Sequence, residues 1–475
     1  AILNNETAKR INAKVNDRIS ISNGSVLIAT LDTSSRMVSK RNVLLSTEII
    51  SFLGVKEGDT VKIDVAKKPR SSHIINKKLM CIPLNKKEIY EVIKSIVKNE
   101  LSEIEIAFFI SSIYKCGMSF DEIVYLTDAM FQTGKKLKLR HKYVVDKHSI
   151  GGIAGNRTTP LVVSICATQD LIFPKTSSRA ITSASGTADT LEAVCNVNLK
   201  IPEIKKVIKK TNACLVWGGS LGFAPADDKL IKVEKMINID PVPNLLASIM
   251  AKKLSVSSKY ILIDIPYGPF AKVSKEQGID LKRKFEKLGK RFGLKLKVVL
   301  TNGIEPIGNG IGPVLEMRDV FSVLESKGPK DLTEKSLYLA GQIFELCGKA
   351  KKGKGKEMAR IILKSGKALE KFYEIIKAQG ANIKTLNRSL ATSKFSKTIK
   401  VKKNTKIKQI NNKQINLLAR IAGCPGDKKA GVYLYKHVGA TLKKSEPLIT
   451  IYAQSEKRLA DAVDFYKQNK IILLK

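Results

Sequence analysis

Residues 146–191 read DKHSIGGIAGNRTTPLVVSICATQDLIFPKTSSRAITSASGTADTL, and the rest of the chain is read outward from them. Two glycine- and hydroxyl-rich loops are expected here, each running into a helical segment. The first is Lys147-His148-Ser149-Ile150-Gly151-Gly152, continuing through Gly155 and Asn156. The second runs from Thr176-Ser177-Ser178-Arg179 to Ser185-Gly186-Thr187. Between them lie the apolar run Leu161 to Ala167 and then Leu171-Ile172-Phe173, before Pro174. Glycine lets backbone N–H groups approach an anion without Cβ interference, and a helix start adds unpaired donors and a favourable dipole. Two such loops, with Ser and Thr hydroxyls and two cationic side chains, suit a site that holds more than one phosphate. A single glycine loop is weak evidence and is often only a structural turn.

The 475 residues are too many for one ordinary core and suggest two to four domains. The apolar fraction of 43% is that of a soluble globular protein. No stretch has the uncharged length of a spanning helix, and AILNNETAKRINAK lacks the apolar core of a signal peptide, so a cytoplasmic protein without a membrane partner is expected. Seven scattered cysteines without a C-x-x-C pair point to buried reduced thiols, not to a disulfide framework or a zinc site. Only four histidines are present, and no metal site is expected. Lys and Arg number 84 against 43 Asp and Glu, a formal net charge of +41. That balance is typical of nucleic-acid binders. Here, however, the cations are mostly Lys spread along the whole chain, and aromatics are only 6%. Specific nucleic-acid recognition favours Arg and interleaved aromatics. The charge is therefore read as compositional bias, and no specific nucleic-acid partner is expected.

Residues 1–82 read as a small β-rich domain, with strands at Val26-Leu27-Ile28 and Thr60 to Val65 and a short helix from Ser46 to Leu53. A core at 83–388 follows. Its helical subdomain is mainly 85–145 with part of 220–255, and an α/β subdomain makes up the rest. Ser102-x-x-Glu105 and Ser119-x-x-Glu122 are capping boxes that start helices. Ala213 to Trp217, Tyr260 to Ile265 and Leu296 to Leu300 read as strands, each leading towards glycines. Strands ending in glycine loops and separated by helices argue an α/β sheet with its site at the strand C-termini. Residues 389–408 are a linker or edge region, and 409–475 a small α+β domain.

DKHSIGG and SSRAITSASGTAD resemble the two signatures of the thymidine phosphorylase / AMP phosphorylase family, the class II nucleoside phosphorylases. Further similar stretches include PADD at Pro225, IDP at Ile239, ASIMAKK at Ala247, IDIPYG at Ile263 and EPIGNGIGP at Glu305. The resemblance covers nearly the whole chain and is strongest to the archaeal AMP phosphorylases, which carry an extra N-terminal domain. It implies a helical subdomain and a larger α/β subdomain with the site in the cleft between them, flanked by the two terminal domains. A homodimer or larger homo-oligomer is expected.

The resemblance also implies roles. Inorganic phosphate, a co-substrate and not a cofactor, is placed against Lys147, Ser149, Thr158, Ser177 and Thr187. No cofactor is expected. The nucleoside monophosphate is placed against Gly152, Ser178, Arg179, Ala180, Ile181, Thr182, Ser183, Thr187, Ser248, Lys252 and Lys272. Asp240 of the IDP stretch is the expected proton donor to the leaving base. As a structural residue it would only cap a helix. His148 is a further candidate to hydrogen-bond the base. Asp227-Asp228 could meet a cation but reads more simply as a turn. Pyrimidine enzymes of the family carry Arg where this chain has Val233. Ala154, Ser185 and Asn309 depart from the usual Pro, Ala or Gly, and Arg, and none is a reacting group.

The expected reaction is AMP plus phosphate giving adenine and ribose 1,5-bisphosphate, with CMP and UMP as further substrates. The alternatives are a thymidine or uridine phosphorylase, and a nucleic-acid-binding protein on a phosphorylase scaffold.

Overall fold

The computed structural model of the protein describes every residue except Lys68, Ile181, Thr182 and Ser220. The chain divides into two compact units, residues 1–134 with 224–251, and residues 135–223 with 252–475.

The first unit begins with two three-stranded sheets. One pairs Arg18–Asn23 with Ser25–Thr30 and Lys62–Val65, and the other centres on Ile2–Leu3. The helix Thr47–Leu53 closes over the same small core as Leu3, Ile19, Ile21 and Leu31. Helices follow, built as their sequences dictate. Ser102 and Ser119 each accept a hydrogen bond from the third helical N–H, and the cap backbone N–H of each in turn donates to Glu105 or Glu122. The helix Arg70–Leu79 lies inside the stretch read as β-rich. Its Ile74 and Ile75 nevertheless share a core with Ile89, Val92, Phe109 and, from the later segment, Leu230 and Val233. Its apolar side finds more partners among helices than among the short strands.

One expectation is corrected here. Cys81 and Cys116 form a disulfide, while the other five cysteines are free and buried. The bond ties the end of helix Arg70–Leu79 to the end of helix Glu103–Cys116, across 35 residues of sequence. That pairing depends on how two helices pack and leaves no trace in cysteine spacing. Closing a loop of this length stabilises a fold by roughly 3–4 kcal/mol on the chain-entropy scale. Melting of Cys81→Ser, or of the protein under reductant, is expected to start several degrees lower. An unchanged midpoint would show that the bond adds nothing.

The second unit holds the parallel sheet. Lys295–Asn302 pairs with Tyr260–Tyr267, which pairs with Val145–Ser149, all parallel. A parallel bridge from Val144 to Ile172 carries the order on to Phe173–Ser177, which pairs with Ala213–Trp217. The Leu161–Ala167 run forms most of the helix Thr158–Ala167, all of whose residues are buried. That helix packs against Lys330–Leu346 and Lys367–Ala378, so it is core on every side.

The stretch read as a linker or edge region contains a strand, Phe395–Lys400, which pairs antiparallel with Pro447–Ala453. Gly431–Leu434 and Gly310–Ile311 complete that sheet. The C-terminal region therefore shares a sheet with the glycine loop around residue 310. Among the described residues no helix is long and apolar enough to cross a membrane.

Candidate active site

The residues of the second unit expected to hold phosphate include several at the ends of its parallel strands. Val145–Ser149 ends on Ser149, Phe173–Ser177 on Ser177 and Ala213–Trp217 on Trp217. Ligands of open α/β sheets bind beyond these carboxyl ends. Lys147, His148 and Ser149 thus lie on a strand and not in the loop expected of them, as do Thr176 and Ser177. Pairing with Tyr260–Asp264 holds the first three extended, and the glycine loop proper starts after Ile150.

Lys147 is 1% exposed. Its Nζ donates to Thr158 Oγ1 at 2.7 Å and to Thr159 Oγ1 at 3.5 Å, so its hydrogen-bond partners are neutral hydroxyls at the start of the Thr158–Ala167 helix. Burial pushes its pKa down to about 8. Around it, Asp146 receives Lys253 at 2.8 Å and Lys175 at 3.2 Å, while Asp264 faces Lys335 at 3.3 Å and accepts from Thr301 at 2.6 Å. Three buried lysines and the largely buried Lys335 therefore share two buried carboxylates. Burial also pushes Lys253 down to about 7, against the pull of Asp146. Burial works against Asp264 too, yet Lys335, Lys147 and Thr301 hold it below the usual carboxylate range. A surplus of buried positive charge is unfavourable by itself and suits an anionic ligand.

The hydroxyls fit that reading. Ser177 Oγ is buried with no hydrogen-bond partner among the described residues. Among the described residues Ser149 Oγ accepts only a long bond, 3.4 Å, from Asn156 Nδ2. Thr187, first residue of its helix, accepts from Arg157 Nη1 at 2.9 Å. Arg157 is itself fixed by Glu316 at 2.6 Å and by the Ser185 carbonyl at 3.0 Å. His148 is half-buried, and its pKa is driven well below the ordinary value by burial and by Lys253, Lys175, Lys252 and Lys147. It is neutral at physiological pH and can serve a ligand as a hydrogen-bond donor or acceptor.

Gly152 has φ +89°, and a Cβ there would stand 2.6 Å from the Lys272 backbone nitrogen. No side chain fits, so Gly152 and the exposed Lys272 are brought together although about 120 residues separate them. Gly155 likewise approaches the Ile307 carbonyl.

The second loop is pinned by Asp189, whose Oδ2 accepts from Ala180 N–H at 2.7 Å and Gly186 N–H at 2.9 Å. Arg179 does not extend freely as an anion clamp. Its guanidinium donates to Glu192 twice at 2.7 Å and to Asp189 at 3.2 Å, and lies over the Trp217 ring. Ser178 is exposed, and Ser183 Oγ donates to the Ser185 carbonyl at 2.9 Å. Ile181 and Thr182 lie outside the described residues.

Asp240 and Ser248 belong to the first unit. Asp240 is exposed between the helices Pro225–Ile237 and Val242–Ser255, and Ser248 is half-buried on the second of these. Lys252, also half-buried, follows Ser248 by one turn of that helix. Asp227 and Asp228 occupy the first turn of the Pro225–Ile237 helix and not a free turn. Among the described residues no cluster of metal-ligating side chains occurs.

Several residues were not singled out in the sequence. Asp146, Lys175, Lys253, Asp264 and Lys335 build the charge pattern. Asp146 and Lys253 stand in the quoted DKHSIGG and ASIMAKK stretches, and Asp264 left a signal as a carboxylate inside the apolar strand YILIDIPY. Asn412 and Asn416 left none. One turn apart on the helix Asn412–Ala422, they accept from Ala154 N–H at 3.2 Å and Ala184 N–H at 2.9 Å. The C-terminal region thereby holds both glycine loops. Asn309 is tied to the same region, through His437 at 3.1 Å and Tyr433 at 3.4 Å.

A parallel sheet with buried lysines and hydroxyls at its strand ends thus shares the chain with a bundle of capped helices. Residues 72–134 match the glycosyl transferase family helical bundle domain and 141–265 its a/b domain. Residues 406–472 match the pyrimidine nucleoside phosphorylase C-terminal domain. AMP phosphorylase 1 of Archaeoglobus fulgidus is 42% identical over 476 residues, covering 100% of this chain and 94% of that one. The AMP phosphorylase of Methanocaldococcus jannaschii is 43% identical over 466 residues, 97% of this chain and 92% of that one. The chain belongs to the AMP phosphorylase family and is an enzyme of the glycosyltransferase class. The solved anthranilate phosphoribosyltransferase of Thermus thermophilus shares the fold, with a TM-score of 0.55 at 18% identity, over 65% of this chain and 99% of that one.

Proposed function

We propose that the protein phosphorolyses nucleoside 5′-monophosphates, converting AMP and phosphate to adenine and ribose 1,5-bisphosphate, with CMP and UMP as further substrates. The observation that carries the proposal is Lys147, a buried cation bonded to hydroxyls alone within a surplus of buried lysines. Inorganic phosphate sits against Lys147 with the hydroxyls of Ser149, Thr158, Ser177 and Thr187. It attacks the anomeric carbon as the bond to the base breaks, and Asp240 gives the leaving adenine its proton. Gly152, the segment from Ser178 to Ser183, Thr187, Ser248, Lys252 and Lys272 bind the nucleotide. Relatives named AMP phosphorylase over almost the full length support the choice of substrate. Val233 supports it too. It is 2% exposed in the helical core, where a pyrimidine enzyme of the resembled family would carry Arg.

The 5′-phosphate separates a nucleotide enzyme from a nucleoside enzyme. Lys272, exposed beside Gly152, is the cation this test removes. One charge-assisted bond to phosphate is worth about 1.5–3 kcal/mol. Lys272→Ala is expected to lower kcat/KM for AMP by roughly ten- to over a hundredfold, and for adenosine hardly at all. The assay covers AMP, CMP, UMP and their nucleosides. Equal losses on both classes, or wild-type activity confined to nucleosides, would refute the proposal.

A further inference from the structure

Within the first unit a groove of about 780 Å³ runs between the strand region and the helix Lys86–Val97, apart from every residue assigned to the reaction. Of the fourteen described residues that line it seven are Lys or Arg, against 84 of 475 in the chain, so the general lysine bias does not account for it. Its acidic residues are Glu91 and Glu100. Glu100 accepts from Ser95 Oγ at 2.8 Å and lies 3.9 Å from Lys98 Nζ.

The helix gives the groove its order. Lys87, Tyr90, Lys94 and Lys98 recur at helical spacing and are exposed, while Ile89, Val92, Ile93 and Ile96 fill the buried face opposite. Lys67 and Arg70 also line the groove. Lys67, Lys87 and Lys94 make no ion pair among the described residues. Tyr90 is 41% exposed and lines the groove among the cations. The volume is that of a small-ligand site. Lys87, Lys94 and Lys98 follow one helix face with the single carboxylate Glu91 between the first two, and several cations so spaced match a linear anion with several charges better than a single phosphate.

We propose that this groove binds an oligophosphate anion, the triphosphate chain of a nucleotide or a short inorganic polyphosphate. The phosphates lie along Lys87, Lys94 and Lys98, and Lys67 and Arg70 of the same lining complete the set of cations. A nucleotide would add its base against Tyr90.

Calorimetric titration of the full chain with ATP and with inorganic tripolyphosphate, at about 0.15 M salt, tests this. The variants are Lys147→Ala, the double Lys87→Gln/Lys94→Gln, and Tyr90→Ala. Binding is expected to persist in Lys147→Ala and to weaken at least tenfold in the double variant, with phosphorolysis and melting temperature unchanged there. Selective weakening of ATP in Tyr90→Ala identifies a nucleotide as the source. No effect of that variant on either probe identifies polyphosphate. Loss of binding in Lys147→Ala with retention in the double variant overturns the proposal, because the probes then occupy the phosphorolysis site. Absence of binding to the wild-type chain overturns it as well. So does a short single-stranded RNA that binds more tightly than tripolyphosphate and depends on Lys87 and Lys94, because the surface is then a nucleic-acid site.

Discussion

Asp240→Asn is expected to lower turnover on AMP by roughly two to four powers of ten, the range of a lost general acid, with little change in KM. Adenine leaves poorly as an anion, and a proton delivered as the glycosidic bond breaks removes that barrier. The substitution keeps the shape of the side chain and removes its acid. Asp240 is exposed, and the following helix starts at Val242, beyond the intervening Pro241. The change should therefore leave folding intact. Steady-state kinetics with AMP, beside a thermal melt, make the check. Wild-type turnover with an unchanged melt would reduce Asp240 to a residue that shapes the helix entry.

Lys147→Ala is expected to lower kcat/KM for phosphate by about a hundred- to a thousandfold, the scale of a lost preorganised electrostatic partner. The same lysine sets an alkaline limb. Its pKa is pushed down to about 8 by burial, so its charge is complete well below that value and is lost as pH rises through it. In the wild type kcat/KM for phosphate should fall about tenfold per pH unit above that point. Stability moves the other way. The unfolded chain holds this proton to a higher pH than the folded one, so between about 8 and the ordinary lysine value rising pH favours the folded form at this group. Lys147→Met should for the same reason melt no lower than wild type near neutrality, because it removes a buried cation that has no hydrogen-bonded carboxylate. A flat kcat/KM across this range, or full activity of Lys147→Ala, would remove Lys147 from the phosphate site.

Local pattern made much of the fold readable. Ser102 and Ser119 with their glutamates marked helix starts that form as capping boxes. Ala213 to Trp217 forms the strand its apolar run indicates, and the reading of Tyr260 to Ile265 falls two residues short of the strand end. Capping needs partners three residues apart and a strand needs a short apolar run, so both are written within one element. Lys147 to Ser149 were misplaced into a loop because polar residues in a strand look like a turn until pairing with Tyr260–Asp264 is known.

The sequence by itself therefore determined the class of elements, their order, the family and the Lys147, Ser177 and Thr187 motifs. Tertiary structure alone decided how charge is distributed around them. Asp146 is bridged by Lys175 and Lys253 from 29 and 107 residues away, and Gly152 lies against Lys272. It also decided that Arg179 is tied to Glu192 and Asp189, that Asn412 and Asn416 hold loops 258 and 232 residues upstream, and that Cys81 meets Cys116. Propensity and periodicity act over a few residues of chain. Burial, charge pairing and pKa are set by whichever side chains packing brings within a few ångströms, and sequence separation does not encode that.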